Sequence, residues 1–161
     1  NPNYVIITGS DDILLPSFIN TIYNECVNND YDLCGVRNWS IYHEQSGLLY
    51  DFNYTSAFGS NELLLGAGRI YSSRILNRFN WNVHEHTKDK YLDSLGFYMC
   101  KMHNAKIGCL NISGLISYKG NWECMNDFNK LLKVSKDSST IKMEINNDQL
   151  QIDMLKNLIN S

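Results

Sequence analysis

Residues 4–16 of the chain read YVIITGSDDILLP, and this stretch decides the fold. Its first part, Tyr4 to Thr8, is a short apolar run rich in β-branched residues, which is typical of a strand buried on both faces in a parallel or mixed sheet. A glycine, a serine and two aspartates follow, and Pro16 suits the first turn of a helix. The stretch therefore predicts a strand, an acidic loop and a helix.

Downstream, apolar residues recur at helical spacing as far as about Val27. The next part of the chain favours two strands joined by a turn, at Asp32 to His43 and at Leu48 to Tyr54. Further predicted elements are a short helix at Ser72 to Arg78, a helix at Tyr91 to Asn104, strands at Ile107 to Leu110 and Leu115 to Tyr118, and a helix at Phe128 to Val134. In the helix at Tyr91 to Asn104, the residues predicted to face inward are Leu92, Leu95, Tyr98, Met99 and Met102.

A polar stretch at 137–140 has the composition of a linker. We therefore expect a main region at 1–136 and a C-terminal extension at 137–161, the latter containing a strand near Ile141 to Ile145 and an amphipathic helix from about Leu150.

Charge and composition exclude several classes of protein. The net charge is −3, and the sequence contains no basic patch for a nucleic-acid backbone. No apolar run approaches the ~20 residues of a membrane helix. The five cysteines are widely spaced without CxxC pairs, which favours reduced core thiols and a reducing compartment. We expect a cytoplasmic protein, and peripheral association with a membrane stays open.

The two adjacent aspartates, Asp11 and Asp12, follow a strand at the position where open α/β sheets bind their ligands. Together with the small Ser10, they could hold a hard Mg²⁺ or Mn²⁺ ion whose other ligands are waters and substrate phosphates. The alternative is that the pair caps the next helix.

The order of elements from about Tyr4 to Phe128 resembles glycosyltransferase family 2 and related GT-A enzymes. Those enzymes carry a strand, an aspartate-rich DxD-type loop and a helix opened by proline. The resemblance implies an α/β fold with a GT-A-like mixed sheet flanked by helices, and a metal that bridges the two phosphates of a nucleotide sugar. Because Ser10 replaces the commonest first acidic residue, Asp11 and Asp12 would carry the metal.

A second block, running from Gly66-Ala67-Gly68-Arg69 through Trp81 to Tyr91-Leu92-Asp93, is also similar to these enzymes. The resemblance implies a small-residue loop that lines the donor sugar, and an acidic residue that takes a proton from the acceptor hydroxyl as it attacks with inversion. Asp93 is the candidate base, and Asp89 is the alternative.

Two basic residues are candidates for contact with the donor diphosphate. The guanidinium of Arg69 could grip two phosphate oxygens, or it could pair with a surface carboxylate. Lys119, at a predicted strand end, could approach the same group.

Aromatic residues and histidines carry weaker signals. Trp39, Trp81 and Trp122 could stack on sugar rings, although each is at least as well explained as core. His84 and His86 lack other suitably spaced ligands, which favours solvated side chains over a metal site.

The sequence thus predicts metal-dependent transfer of a sugar from a nucleotide-sugar donor to a carbohydrate or lipid-linked acceptor. GT-A enzymes place their nucleoside-binding βαβ units before the acidic loop, and only three residues precede Tyr4. We therefore expect this chain to be the acceptor-side portion, with an upstream nucleoside-binding segment as its partner. The alternatives are a non-catalytic sugar-binding or scaffold module and, with less support, a metal-dependent phosphate-ester hydrolase.

Overall fold

A computed structural model describes residues 3–54, 64–83, 92–119 and 141–159 of the chain. In chain order the elements are β1 (Tyr4–Ile7), β2 (Asp12–Leu14), α1 (Pro16–Asn29), β3 (Leu33–Val36), β4 (Asn38–His43), β5 (Leu48–Tyr54), β6 (Arg69–Ser72), α2 (Ser73–Arg78), α3 (Leu92–Met102), β7 (Ile107–Leu110), β8 (Leu115–Lys119), β9 (Ile141–Asn146) and α4 (Gln149–Ile159). The class is therefore mixed α/β, as predicted. The predicted helix at 128–134 and linker at 137–140, together with His84, His86, Asp89 and Trp122, lie outside the described residues.

The first sheet has the strand order β1-β6-β3-β7. Strand β6 is antiparallel to both β1 and β3, and β3 is parallel to β7. Strands β1, β3 and β7 therefore point the same way. We call the side of the sheet where these three strands end the carboxyl edge.

The second sheet has the order β2-β8-β4-β5-β9. The predicted hairpin is present, because β4 and β5 pair in antiparallel register from His43 opposite Leu48 to Asn38 opposite Asn53. The predicted single strand at Asp32 to His43 is divided: β3 belongs to the first sheet and β4 to the second. A strand of that length would exceed the usual five or six residues, and the chain instead changes sheets at Arg37.

The predicted C-terminal strand and helix are both confirmed. Strand β9 pairs with β5 along its whole length, and Ile152 and Leu155 of α4 pack against Tyr42, Leu49 and Ile116 of the second sheet. Residues 141–159 therefore contribute to the core of this sheet.

Helices cover both faces of the first sheet. Phe18, Ile22 and Cys26 of α1 are fully buried on one face, and α2 and α3 cover the other. The four described cysteines, Cys26, Cys34, Cys100 and Cys109, are unpaired, as expected of core thiols. Across the described ranges, no helix combines the length and apolar character needed to cross a membrane.

The inward face of α3 differs from the prediction. Tyr98 and Met102 are exposed, while Phe97 and Cys100 are buried against the sheet. Of the predicted inward residues, Met99 does pack against the same core cluster, and Gly96 lets the helix approach Tyr71 and Val83 closely.

Strand β1 also corrects a prediction. It was expected inside the sheet, yet in the described part of the chain its one neighbour is β6, so it is an edge strand. The apolar run is still explained, because Val5 and Ile7 pack on one core cluster while Tyr4 and Ile6 pack on the other. Covering of both faces produces such a sequence whether or not both edges are paired.

At the end of the first sheet where β3 begins, opposite the carboxyl edge, the buried carboxylate of Asp32 connects several elements. One oxygen accepts hydrogen bonds from the Ser72 hydroxyl (3.1 Å) and the Arg74 guanidinium (2.7 Å), and the other accepts one from the Lys106 backbone N–H (2.9 Å). Burial by itself would raise the pKa of Asp32, but these three donors together hold it below its usual value of 3.8. The carboxylate is thus a charged brace between β3, β6 and β7.

We expect Asp32→Asn to lower the free energy of unfolding by about 1–3 kcal/mol, because buried donors lose their partner. The matched control is Asp30→Asn, which removes an exposed partner of the same Arg74 and should cost less than about 1 kcal/mol. Because the folded pKa lies below the unfolded one, the stabilisation is present above about pH 4 and lost as the pH falls through the folded value. Urea unfolding at pH 7 and pH 3 measures both effects, and equal losses for the two variants would contradict the assignment.

Candidate functional site

Two loops that the sequence singled out meet at the carboxyl edge of the first sheet. The acidic loop, residues 9–12, follows β1, and the small-residue loop, residues 64–68, leads into β6. The antiparallel pairing of these strands ends with Ile7 opposite Arg69. Both loops therefore leave the same end of the same strand pair, and the predicted position of Asp11 and Asp12 at this edge is confirmed.

The carboxylate of Asp12 is held in one orientation. Its Oδ2 accepts a hydrogen bond from the Gly9 N–H (2.8 Å), and its Oδ1 accepts one from the Ser117 hydroxyl (2.5 Å). The backbone N–H of Asp12 also donates to the Gly9 carbonyl (3.3 Å), which closes the turn. Ser117 lies opposite Asp12 in the pairing of β2 with β8, so the second sheet fixes this side chain.

The carboxylate of Asp11 lies beside the same glycine. A Cβ placed on Gly9 would lie 3.0 Å from Asp11 Oδ1 and 2.8 Å from Asp12 Oδ2. The Asp11 carbonyl accepts a hydrogen bond from the Tyr118 N–H (2.7 Å), which ties the loop to β8. The lack of a side chain at position 9 therefore lets two carboxylate oxygens approach one point.

This donor set fits a hard divalent cation. Carboxylate oxygens are the ligands preferred by Mg²⁺ and Mn²⁺, and ligating carboxylates are themselves commonly held by hydrogen bonds such as those from Gly9 and Ser117. Within the described ranges no group of three or more His, Cys, Asp or Glu residues could hold a metal. The chain would thus offer two carboxylates, and waters and substrate phosphates would complete the coordination.

The alternative reading of the aspartate pair as a helix cap is wrong. The N-cap of α1 is Leu15, which makes no side-chain capping bond, and Pro16 occupies the first helical turn. Asp12 instead lies at the start of β2, and its carboxylate accepts a hydrogen bond from Gly9 in the preceding turn.

The small-residue loop is shaped by close packing. Gly68 has φ of +69°, a conformation that favours glycine, and a Cβ there would lie 3.1 Å from the Phe18 ring. The N–H of Leu65 donates to the carbonyl of Val36 (2.9 Å), which fixes the loop at the end of β3. Gly66 and Ala67 are half-buried in this turn, whereas Ser10 in the neighbouring acidic loop is exposed.

Arg69 is held inside the protein by hydrogen bonds to the small-residue loop. Its side chain is only 2% exposed, and its Nε and Nη2 donate to the carbonyls of Leu65 and Leu64, both at 2.7 Å. Both hydrogen bonds are made inside the protein, and they fix the backbone of the small-residue loop. Nε and Nη2 of Arg69 therefore have a structural role, since both already donate to backbone carbonyls.

The backbone of two other predicted residues, Lys119 and Asp93, is described. Lys119 follows Tyr118, whose N–H donates to Asp11, so the end of β8 lies beside the acidic loop. Asp93 is in the first turn of α3. The C-terminal end of α3 lies beside the end of α2, where Arg78 donates to the carbonyl of His103. The side chains of Lys119 and Asp93 lie outside the described residues.

The described tryptophans have different settings. Trp39 is half-buried, stacks on Phe52 with ring centroids 5.1 Å apart, and is one of the residues that line a cleft on the second sheet. Trp81 is 43% exposed, and its indole N–H donates to Asn77 (2.8 Å) at the end of α2.

Sequence reasoning missed two side chains near this edge. Ser117 carried no signal, because it lies 105 positions from the aspartate it holds. Arg37, at the end of β3, donates from Nε to the sulfur of Cys109 (2.9 Å). Burial raises the pKa of the Cys109 thiol, and the nearby Arg37 charge opposes that rise without cancelling it. Cys109 is therefore a neutral thiol near pH 7 and no candidate nucleophile.

Comparison with known proteins adds no family assignment. No protein-family model matches the sequence, and no curated protein matches it at a significant level. The residues and the geometry of the carboxyl edge therefore have to support any functional inference.

Proposed function

We propose that this chain is the acceptor-side part of a metal-dependent glycosyltransferase that uses a nucleotide-sugar donor. The observation that supports it most is the convergence of Asp11 and Asp12 beside Gly9 at the carboxyl edge, next to the small-residue loop. Ligands of open α/β sheets gather at this kind of edge. The proposal retains the GT-A resemblance found in the order of the sequence elements.

In this proposal Asp11 and Asp12 hold Mn²⁺ or Mg²⁺, and Gly9 and Ser117 orient the Asp12 carboxylate. A bound divalent cation would neutralise negative charge on the departing diphosphate. Gly66 and Ala67, which are half-buried and carry little or no side chain, line the donor sugar, and Gly68 holds the loop against Phe18. Lys119 supplies a positive charge close to the diphosphate.

Asp93 is proposed as the general base for the acceptor hydroxyl. Its place in the first turn of α3 supports this role, because the positive end of the helix dipole favours the charged form of a carboxylate. Attack by the acceptor oxygen on the anomeric carbon, opposite the departing diphosphate, inverts the configuration.

The outer side of β1 supports an upstream nucleoside-binding segment as partner. In the described chain this strand is paired on one side, and an open strand edge can accept another strand. Ile19, Tyr23 and Val27 form an exposed apolar stripe on α1, and the Tyr23 ring contacts that of Tyr4 in β1. A further strand and helix would cover both features.

Donor turnover tests the proposal. The full-length protein, incubated with nucleoside-diphosphate sugars and Mn²⁺, is expected to release nucleoside diphosphate, and EDTA is expected to stop the release. Readdition of Mn²⁺ should restore it, whereas Ca²⁺ should restore less because its larger size suits six to eight oxygen ligands. Release that is indifferent to EDTA would contradict the metal assignment, and no release with any common donor would contradict the enzyme.

One observation favours the alternative of a non-catalytic sugar-binding or scaffold module. Both oxygens of Asp12 already accept hydrogen bonds within the protein, so this carboxylate also has a structural role in its turn. A scaffold of this kind would keep the turn and show no metal-dependent binding of a nucleoside diphosphate. Calorimetry with uridine, guanosine and thymidine diphosphates, each with and without Mn²⁺, separates the two functions.

A further inference from the structure

A cleft of about 230 Å³ lies on the second sheet, beside the start of α4. Its lining combines the aromatic residues Trp39 and Phe52 with polar residues, among them Asn38, Ser40, Asp51, Asn53, Glu144 and Gln151.

This cleft and Asp12 are on opposite faces of the second sheet. Ser40 lies two positions from Tyr42, which packs under α4, so Ser40 is on the α4 face of the sheet. Ser117, which holds Asp12, neighbours Ile116 of the same α4 cluster and therefore points the other way. A ligand in the cleft would be separated from the acidic loop by the sheet.

We propose that this cleft binds one unit of a neutral carbohydrate. Amide side chains both donate to and accept from sugar hydroxyls, and carboxylates accept from them. The described residues of the cleft lining include amides, serines and two carboxylates, and none of these described residues is Lys or Arg. A hydroxyl-rich ligand without negative charge is the class that this chemistry recognises.

Hydrogen bonds within the protein hold polar groups of the cleft in fixed orientations before any ligand binds. Asp51 is fixed by the Ser40 hydroxyl, which donates to Oδ1 (2.6 Å), and by the Asn146 amide, which donates to Oδ2 (2.9 Å). Glu144 lies directly opposite Asp51 in the pairing of β5 with β9. Two carboxylates with further acceptor capacity therefore share one wall of the cleft.

Asn38 is another polar residue of the lining. Its amide nitrogen donates to the carbonyl of Ile112 (2.9 Å), which fixes the orientation of the side chain. Among the described residues its Oδ1 is a buried atom without a hydrogen-bond partner. Because this atom is shielded from solvent, a ligand in the cleft would not reach it without a local rearrangement, and the bond to Ile112 is what fixes Asn38 in the lining.

The cleft volume also points to a small ligand. Clefts for drug-sized molecules usually measure roughly 300–1,000 Å³, and this one is smaller. One sugar ring suits the space better than a nucleotide does. If the proposed function holds, the bound unit belongs to the acceptor carbohydrate, but binding itself requires neither donor nor metal.

Titration of the ¹⁵N-labelled 161-residue chain with glucose, galactose, mannose and N-acetylglucosamine, without nucleotide or metal, tests the proposal. At least one sugar is expected to shift the side-chain amide signals of Asn38, Asn53 and Gln151 at millimolar concentration. Asn53→Ala and Glu144→Gln should each weaken that binding about threefold to tenfold, the scale of one hydrogen bond. The matched control Asn28→Ala, on the exposed side of α1, should leave it unchanged.

Several results would overturn the carbohydrate site. They are the absence of shifts with all four sugars, shifts that persist unchanged in both folded cleft variants, and tighter binding of inorganic phosphate or Ca²⁺ to the same amides. Because the titration contains no donor, a failed sugar site and a failed donor-turnover assay are separate results. Asn53 and Glu144 are both exposed at the rim, so their variants are expected to fold.

Discussion

Asp12→Asn is expected to lower Mn²⁺-supported sugar transfer by the full-length protein about a thousandfold or more. Charge stabilisation by a bound metal amounts to several kcal/mol, and each 1.36 kcal/mol is a factor of ten in rate. Asparagine is the informative replacement because its carbonyl can still accept from the Gly9 N–H while its amide donates to Ser117. The turn is kept and the negative charge is lost.

The matched control is Asp153→Asn, an exposed aspartate of α4 that accepts a hydrogen bond from Gln149. It removes the same charge and should leave transfer unchanged. In thermal unfolding, Asp153→Asn should leave the free energy of unfolding within about 1 kcal/mol of the parent, whereas Asp12→Asn should lower it by about 1–3 kcal/mol because the buried Ser117 hydroxyl loses its acceptor. A folded Asp12→Asn variant with parental turnover at saturating Mn²⁺ would remove Asp12 from the metal site and favour the scaffold function.

Ser117→Ala separates orientation from ligation. The hydroxyl donates to Asp12 Oδ1 at 2.5 Å and has no proposed contact with the donor. Its loss should raise the Mn²⁺ concentration required for half-maximal transfer and change the rate at saturating Mn²⁺ much less. Equal losses at all Mn²⁺ concentrations would indicate that the hydroxyl acts on the substrate and not through Asp12.

Asp93→Asn is expected to lower transfer by a factor of about 10²–10⁴, the usual range for loss of a general base, while donor binding is preserved. The amide keeps the size of the side chain but cannot take the acceptor proton. Donor affinity, measured by calorimetry with Mn²⁺, should match that of the parent, because Asp93 contacts the acceptor in this proposal and not the diphosphate.

The pH profile distinguishes a base from a merely structural aspartate. Transfer by the parent should fall on the acidic side as Asp93 is protonated, and the variant should lose that limb. Asp89→Asn serves as the companion variant because Asp89 is the alternative base. Parental transfer by Asp93→Asn together with a large loss in Asp89→Asn would move the base to position 89.

Local sequence patterns determined the identity and order of most elements. The apolar run at 4–7, the proline-opened helix α1, the hairpin of β4 and β5, and the alternating residues of β9 are visible as short-range periodicities. The position of Asp11 and Asp12 at a strand end followed from chain order alone. These features depend on neighbours within a few residues, which a sequence displays directly.

Tertiary structure alone decided which groups meet at the site. The partner of Asp12 is a serine 105 positions away, Arg69 is buried and donates to carbonyls of the small-residue loop, and Arg37 meets Cys109 from 72 positions away. The sheet to which each strand belongs was likewise decided by the tertiary structure. The apolar run from Leu33 does not indicate that the chain leaves the first sheet for the second at Arg37. Pairing and hydrogen bonding across long separations depend on the simultaneous packing of both sheets, and hydrophobic periodicity records only whether a side chain is buried, not what it is buried against.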